Sequence, residues 1–185
     1  MFDSVDIYNI SQGSEEWLKL RSSRLTASNT SIWINLSTFN YPSEYFKIQN
    51  MIISHLRHIH RGNDLEKHIR NWYSTHLKRP IYEIGFGVSK DFPMFGASPD
   101  GYFDEDEFIE IKTTTKPIES IPINVYLQVL VTGGIFGFKQ CHLIYYSKEV
   151  IDVFIVNINH NIWRDVIAQR GKVFLENNAI KWPLS

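Results

Sequence analysis

Three charged residues stand where a strand should be apolar. In GASPDGYFDEDEFIEIKTT, residues 96–114, Asp100 lies between a proline and a glycine, and Glu110 and Lys112 alternate with Ile109 and Ile111. The acidic run 104–107 reads as a polar turn, so residues 97–103 and 108–114 should pair as an antiparallel hairpin. Centred on Glu105, that hairpin sets Asp100 opposite Glu110, with Cβ atoms roughly 4.5–5.5 Å apart. Lys112 shares their face by alternation, while Ile109 and Ile111 take the other. Two carboxylates so close repel unless a cation or a shared proton neutralises them. A bulge at Pro99 or Gly101 would shift this register. The plainer alternatives are an ion pair between Glu110 and Lys112 and a turn-forming Asp100 in Pro-Asp-Gly.

A fourth charged group comes from the helical pattern over residues 63–79, which Pro80 ends. On a helical projection Glu66 falls within the arc of Leu65, Ile69, Trp72, Tyr73 and Leu77, so it points toward the core, where an unpaired carboxylate costs several kcal/mol. Its bland alternative is a capping box with Asn63, which would tie it to the start of the helix.

The elements that must position these groups form an α/β mixture. Ser14, followed by Glu15 and Glu16, caps a short helix to about Ser22, and a second helix starts near Ser28. Residues 41–60 carry helical spacing. Strand-like runs follow at 81–88, 97–103, 108–114, 141–147 and 150–157, with helices at about 123–133 and 161–177. No repeat or linker divides the chain, so residues 1–185 read as one domain.

Composition narrows the field. The 185 residues are 43% hydrophobic and 14% aromatic, enough for a closed core. Nineteen Lys and Arg against 20 Asp and Glu leave a formal charge of −1, so any nucleic-acid surface must be a local patch. The single Cys141 excludes a disulfide framework and any metal or iron–sulfur centre built from several cysteines of one chain. No basic leader and no apolar run of membrane-spanning length is visible, which points to an intracellular, non-secreted protein with no membrane partner.

SPDG at 98–101 with E-I-K at 110–112 resembles the PD-(D/E)XK nuclease core. The upstream GND-LE stretch, WLKLRSSRLTAS at 17–28 and YLQVLVTG at 126–133 narrow the resemblance to the YqaJ-like viral recombinases, the family of bacteriophage lambda exonuclease. It covers about residues 11–147. The resemblance implies a restriction-endonuclease-like fold with a central mixed sheet flanked by helices. It also implies a Mg²⁺-dependent 5′→3′ exodeoxyribonuclease, with Mn²⁺ as a substitute, degrading one strand from duplex DNA ends in viral or mobile-element recombination. By the same resemblance Asp100, Glu110 and the Ile111 backbone carbonyl ligate the metal, Glu66 completes the acidic cluster, and Lys112 orients or deprotonates the attacking water. Phosphodiester hydrolysis needs such a set: an in-line water, neutralised phosphate charge and a stabilised leaving oxygen. Arg21, Ser28, Ser98 and Gln128 match residues that bind a 5′-terminal phosphate, although Arg24, one turn on, is an alternative to Arg21. A single-strand annealing protein and a homotrimer are further partners that the family implies, with the oligomeric state left open in so short a chain. Two other readings stand beside this one: an endonuclease of the same fold, and a catalytically silent DNA-binding or partner-docking domain.

Two features lie outside that site. HLRHIHRG at 55–62 is a candidate DNA-backbone patch, with a metal site the less favoured reading. Ile162, Trp163, Val166, Ile167, Val173 and Phe174 form an apolar stripe suited to the core or to a subunit interface.

Overall fold

The computed structural model describes residues 2–34, 60–147 and 150–178. Strand β1 (Val5–Tyr8) leads to helix α1 (Glu15–Ser22), whose first turn is closed by the Ser14 hydroxyl accepting the Trp17 N–H at 3.2 Å, as the sequence predicts. Then come β2 (Leu25–Thr26), a 3₁₀ turn at Ala27–Asn29, the four-residue α2 (Thr30–Trp33) and the long α3 (His60–Leu77). Lys78 in a left-handed conformation stops α3 just short of Pro80. Four strands follow: β3 (Phe86–Ser89), β4 (Phe95–Ala97), β5 (Gly101–Tyr102) and β6 (Glu107–Thr113). Helix α4 (Ile123–Phe136), β7 (Gln140–Ser147) and β8 (Val150–Asn157) come next, and a π-helical stretch (Ile162–Ile167) runs into α5 (Ala168–Asn177).

The strands form two mixed four-stranded sheets, ordered β1-β3-β4-β2 and β5-β6-β7-β8. In the second, β6 and β7 run parallel across the α4 crossover, with Lys112 level with Tyr145. Its two faces are covered differently. Phe108, Leu143 and Val156 pack in the main core with α4, whereas Ile109, Ile111 and Ile144 pack with Ile69 and Tyr73 of α3. Alternation along β6 therefore turns Glu110 and Lys112 toward the α4 side, as the sequence requires.

Three expectations change in detail. The predicted strand 97–103 is broken: β4 belongs to the first sheet, pairing parallel with β2, and only β5 joins β6. The hairpin register survives the break, with Gly101 opposite Ile109 and Tyr102 opposite Phe108. Helix α3 is already helical at His60, which puts Asn63 inside it rather than at its N-terminus, so 63–66 is not a helix start. The C-terminal stripe is core only in part: Trp163, Ile167 and Phe174 are buried, while Ile162, Val166 and Val173 are exposed. The helical pattern at 41–60 and most of the HLRHIHRG patch fall outside the described residues.

Candidate active site

The break between β4 and β5 sets the centre of the site. Pro99, which has no N–H to donate, is buried where the ladder ends and the chain changes sheets. Gly101 then lets α3 close down on the turn. A Cβ there would lie 2.7 Å from Ile81 Cγ2 and 3.2 Å from Arg70 Cδ, so the glycine of Pro-Asp-Gly serves close approach. Arg70 of α3 uses that space, donating from Nη1 to the Asp100 carbonyl at 2.6 Å and from Nη2 to Glu83.

The Asp100 side chain reaches back to β6, where its Oδ2 accepts the Ile111 N–H at 2.7 Å. Glu110 is only 3% exposed. Its Oε1 accepts from Lys112 Nζ at 2.7 Å and from Gln128 Nε2 of α4 at 2.5 Å. Its Oε2 is buried with no hydrogen-bond partner. Glu66 stands on the flank of α3 beside Arg70, and with Ser98, Pro99 and Asp100 it lines a cleft of about 530 Å³.

Charge makes this cluster unstable as it stands. Burial, then the carboxylates of Glu110 and Glu66, push the Asp100 carboxyl well above the usual range, against a smaller opposing effect of the Ile111 N–H. Burial and Glu110 raise Glu66 in the same way. Burial works against the Lys112 ammonium, yet the charge and hydrogen bond of Glu110, followed by Asp100, outweigh it and hold the lysine charged. Three carboxyl groups and one ammonium thus influence one another in partly buried surroundings, where the acids repel.

The donor set suits a divalent cation. All the anionic atoms are hard oxygens, one of them is buried without a donor, and its neighbour is driven toward protonation by burial and then by repulsion. Asp100, Glu110 and Glu66, with the Ile111 carbonyl, are the groups that would hold it. Among the described residues no three acidic or imidazole side chains form a ready cage. Glu110 Oε1 is turned instead toward Lys112 and Gln128.

The other predicted residues divide between two places. Arg21 donates from Nη2 to the Ser28 hydroxyl and lies 5.0 Å over the Trp17 ring, so the motif from 17 to 28 closes on itself. Arg24 Nη1 is engaged at 3.0 Å with both the Leu20 carbonyl and the Ser23 hydroxyl of its own helix end. Ser98 and Gln128 stand with the acidic cluster. Arg70 and Tyr145 belong to this neighbourhood and were not foreseen. Arg70 was findable, being four residues after Glu66 on one helix face; Tyr145 gave no signal in its own segment.

This arrangement of a carboxylate at a sheet break, a Glu-x-Lys strand and a helix carrying Glu66 is that of the PD-(D/E)XK fold. The chain belongs to the YqaJ-like viral recombinase family, whose model matches residues 16–131. No curated protein matches it. Among solved structures it is similar to an alkaline exonuclease from Laribacter hongkongensis, at 21% identity and a TM-score of 0.71, over 90% of this chain and 93% of that one. The complex of that enzyme with dAMP superposes at 0.72 with the same identity and coverage. SSO0001 follows at 16% identity and a TM-score of 0.56, over 88% of this chain and 85% of the other. At these identities the structural likeness concerns the fold.

Proposed function

We propose that the protein is a Mg²⁺-dependent 5′→3′ exodeoxyribonuclease that degrades one strand from duplex DNA ends, in recombination of a virus or mobile element. The observation that carries this reading is the buried, unpartnered Oε2 of Glu110 beside the repelled Asp100 carboxyl. A cation bound there supplies neutralisation of phosphate charge and activation of water. The chain's own residues do the rest. Asp100 is oriented by the Ile111 N–H and by Arg70 at its carbonyl. Lys112, held charged, offers an ammonium to orient the attacking water or to accompany the phosphate. Glu66 adds negative charge at the cleft wall.

Selection of a DNA end falls to Arg21 and Ser28, aided by Ser98 and Gln128. A 5′-terminal phosphate carries nearly two negative charges, one more than an internal phosphodiester, and a planar guanidinium can grip it with two hydrogen bonds. A charge-assisted hydrogen bond contributes about 1.5–3 kcal/mol, roughly a ten- to hundredfold preference for 5′-phosphorylated over 5′-hydroxyl duplex. The test is the ratio of initial rates on the two substrates. Arg21→Ala should collapse the ratio by slowing only the phosphorylated duplex. A wild-type ratio near one, or equal slowing of both substrates, would favour an endonuclease of the same fold. The exonuclease name and bound dAMP of the structural neighbour agree with the end-directed reading.

A further inference from the structure

A second orphaned polar atom lies beside the first. Tyr145 is 5% exposed, yet its hydroxyl has no hydrogen-bond partner. It stands level with Lys112 across the parallel β6–β7 pair, and its other cross-strand neighbour, Asp152 of β8, takes no hydrogen bond from it. Register and alternation put it on the face of Glu110 and Lys112. The edge of Phe154, with ring centroids 6.1 Å apart and planes at 87°, fixes the ring. Lys112 and Glu110 are the charges its phenol senses. A buried hydroxyl left unpaired is destabilising, so a partner in another state of the site is the natural explanation.

Glu110 supplies the reason for such a state. Its Oε1 is occupied by the very lysine the reaction needs and by Gln128. A divalent cation held at the unpartnered Oε2 would repel the ammonium bonded to Oε1 of the same carboxylate, so Lys112 would give up its 2.7 Å contact, and an ammonium displaced within a partly buried site needs another acceptor at once. We propose that Tyr145 is the positioning residue that receives the Lys112 ammonium on its phenolic oxygen when Glu110 turns to the cation, keeping the lysine aimed at the scissile phosphate. The phenol can accept from the lysine while donating its own proton to a water or a phosphate oxygen. This role rests on the metal-dependent reading above.

Tyr145→Phe removes only the unpartnered hydroxyl. Calorimetric titration of Mg²⁺ into the full chain without DNA should show about tenfold weaker binding in this variant, because the lysine then has nowhere to go. Its metal-free melting temperature should equal or exceed that of the wild type. With DNA, kcat should fall about tenfold while KM stays within about twofold. Tyr73→Phe is the control: it deletes a hydroxyl bonded to His142 Nδ1 at 2.8 Å on the opposite face, and should lower the melting temperature while leaving Mg²⁺ affinity alone. Wild-type Mg²⁺ affinity in Tyr145→Phe, or a drop in its metal-free melting temperature matching that of Tyr73→Phe, overturns the role. A wild-type protein that binds no Mg²⁺ would refute the metal reading itself, which separates the two failures.

Discussion

Replacing Asp100 by Asn should stabilise the metal-free protein while abolishing cleavage. The amide keeps an oxygen to accept the Ile111 N–H, so the 2.7 Å anchor survives, and only the charge is lost. Coulomb's law at an effective dielectric of about 20 gives roughly 3 kcal/mol for two carboxylates about 5 Å apart. Lys112 and the Ile111 N–H offset much of this, leaving about 1–2 kcal/mol of net relief. For a chain of this size that is a rise in melting temperature of roughly 2–8 °C. The sign has a pH signature. Burial, Glu110 and Glu66 raise the Asp100 carboxyl in the folded state, so between the ordinary carboxylate range and that raised value the native protein holds a proton the unfolded chain has lost. Metal-free stability therefore falls as pH rises through this window. Asp100→Asn should flatten that slope, and Mg²⁺ should reverse it in the wild type by rewarding the ionised form. Thermal melts with and without Mg²⁺ over a pH series read both effects. An Asn variant that melts lower than the wild type without metal, or that still cuts DNA, would refute the reasoning.

Other consequences are as direct. Lys112→Ala should lose most of the turnover, about 10²-fold or more, yet bind DNA nearly as the wild type does in a gel-shift assay, since one phosphate contact among many is a small share of affinity. Arg70→Ala should lower stability by about 1.5–3 kcal/mol in denaturant titration, by removing a charged donor to the Asp100 carbonyl. It should also weaken Mg²⁺ binding, because the turn that carries Asp100 loses its clamp.

The sequence made the centre of the site readable because its signals were local. Alternation fixed the face of Glu110 and Lys112, the acidic turn fixed the register at Gly101 and Tyr102, and the helical period turned Glu66 toward the cluster. Long-range geometry was not readable. Pro99 ends one ladder and begins another, so a single predicted strand became two in different sheets. Gln128 binds Glu110 from the crossover helix, and Tyr145 reaches the site only through the β6–β7 register. Neither relation leaves a trace in its own segment. The apolar period of α3 also overstated burial at Trp72, which is 43% exposed and stacked on His76 at 5.1 Å. Likewise Asn63 followed by Glu66 mimicked a helix start inside a helix that had already begun.

The most direct test of the account compares two DNA topologies under one set of conditions. The purified protein is incubated with 5′-phosphorylated linear duplex labelled at the 3′ end of one strand, and with covalently closed circular duplex, each with Mg²⁺ or with EDTA. Progressive loss of the linear duplex from its 5′ ends in Mg²⁺, an intact circle and no reaction in EDTA are predicted, with Asp100→Asn inert throughout. Cleavage in EDTA, or linearisation of the circle as fast as the linear duplex is consumed, would contradict a metal-dependent nuclease that works from DNA ends.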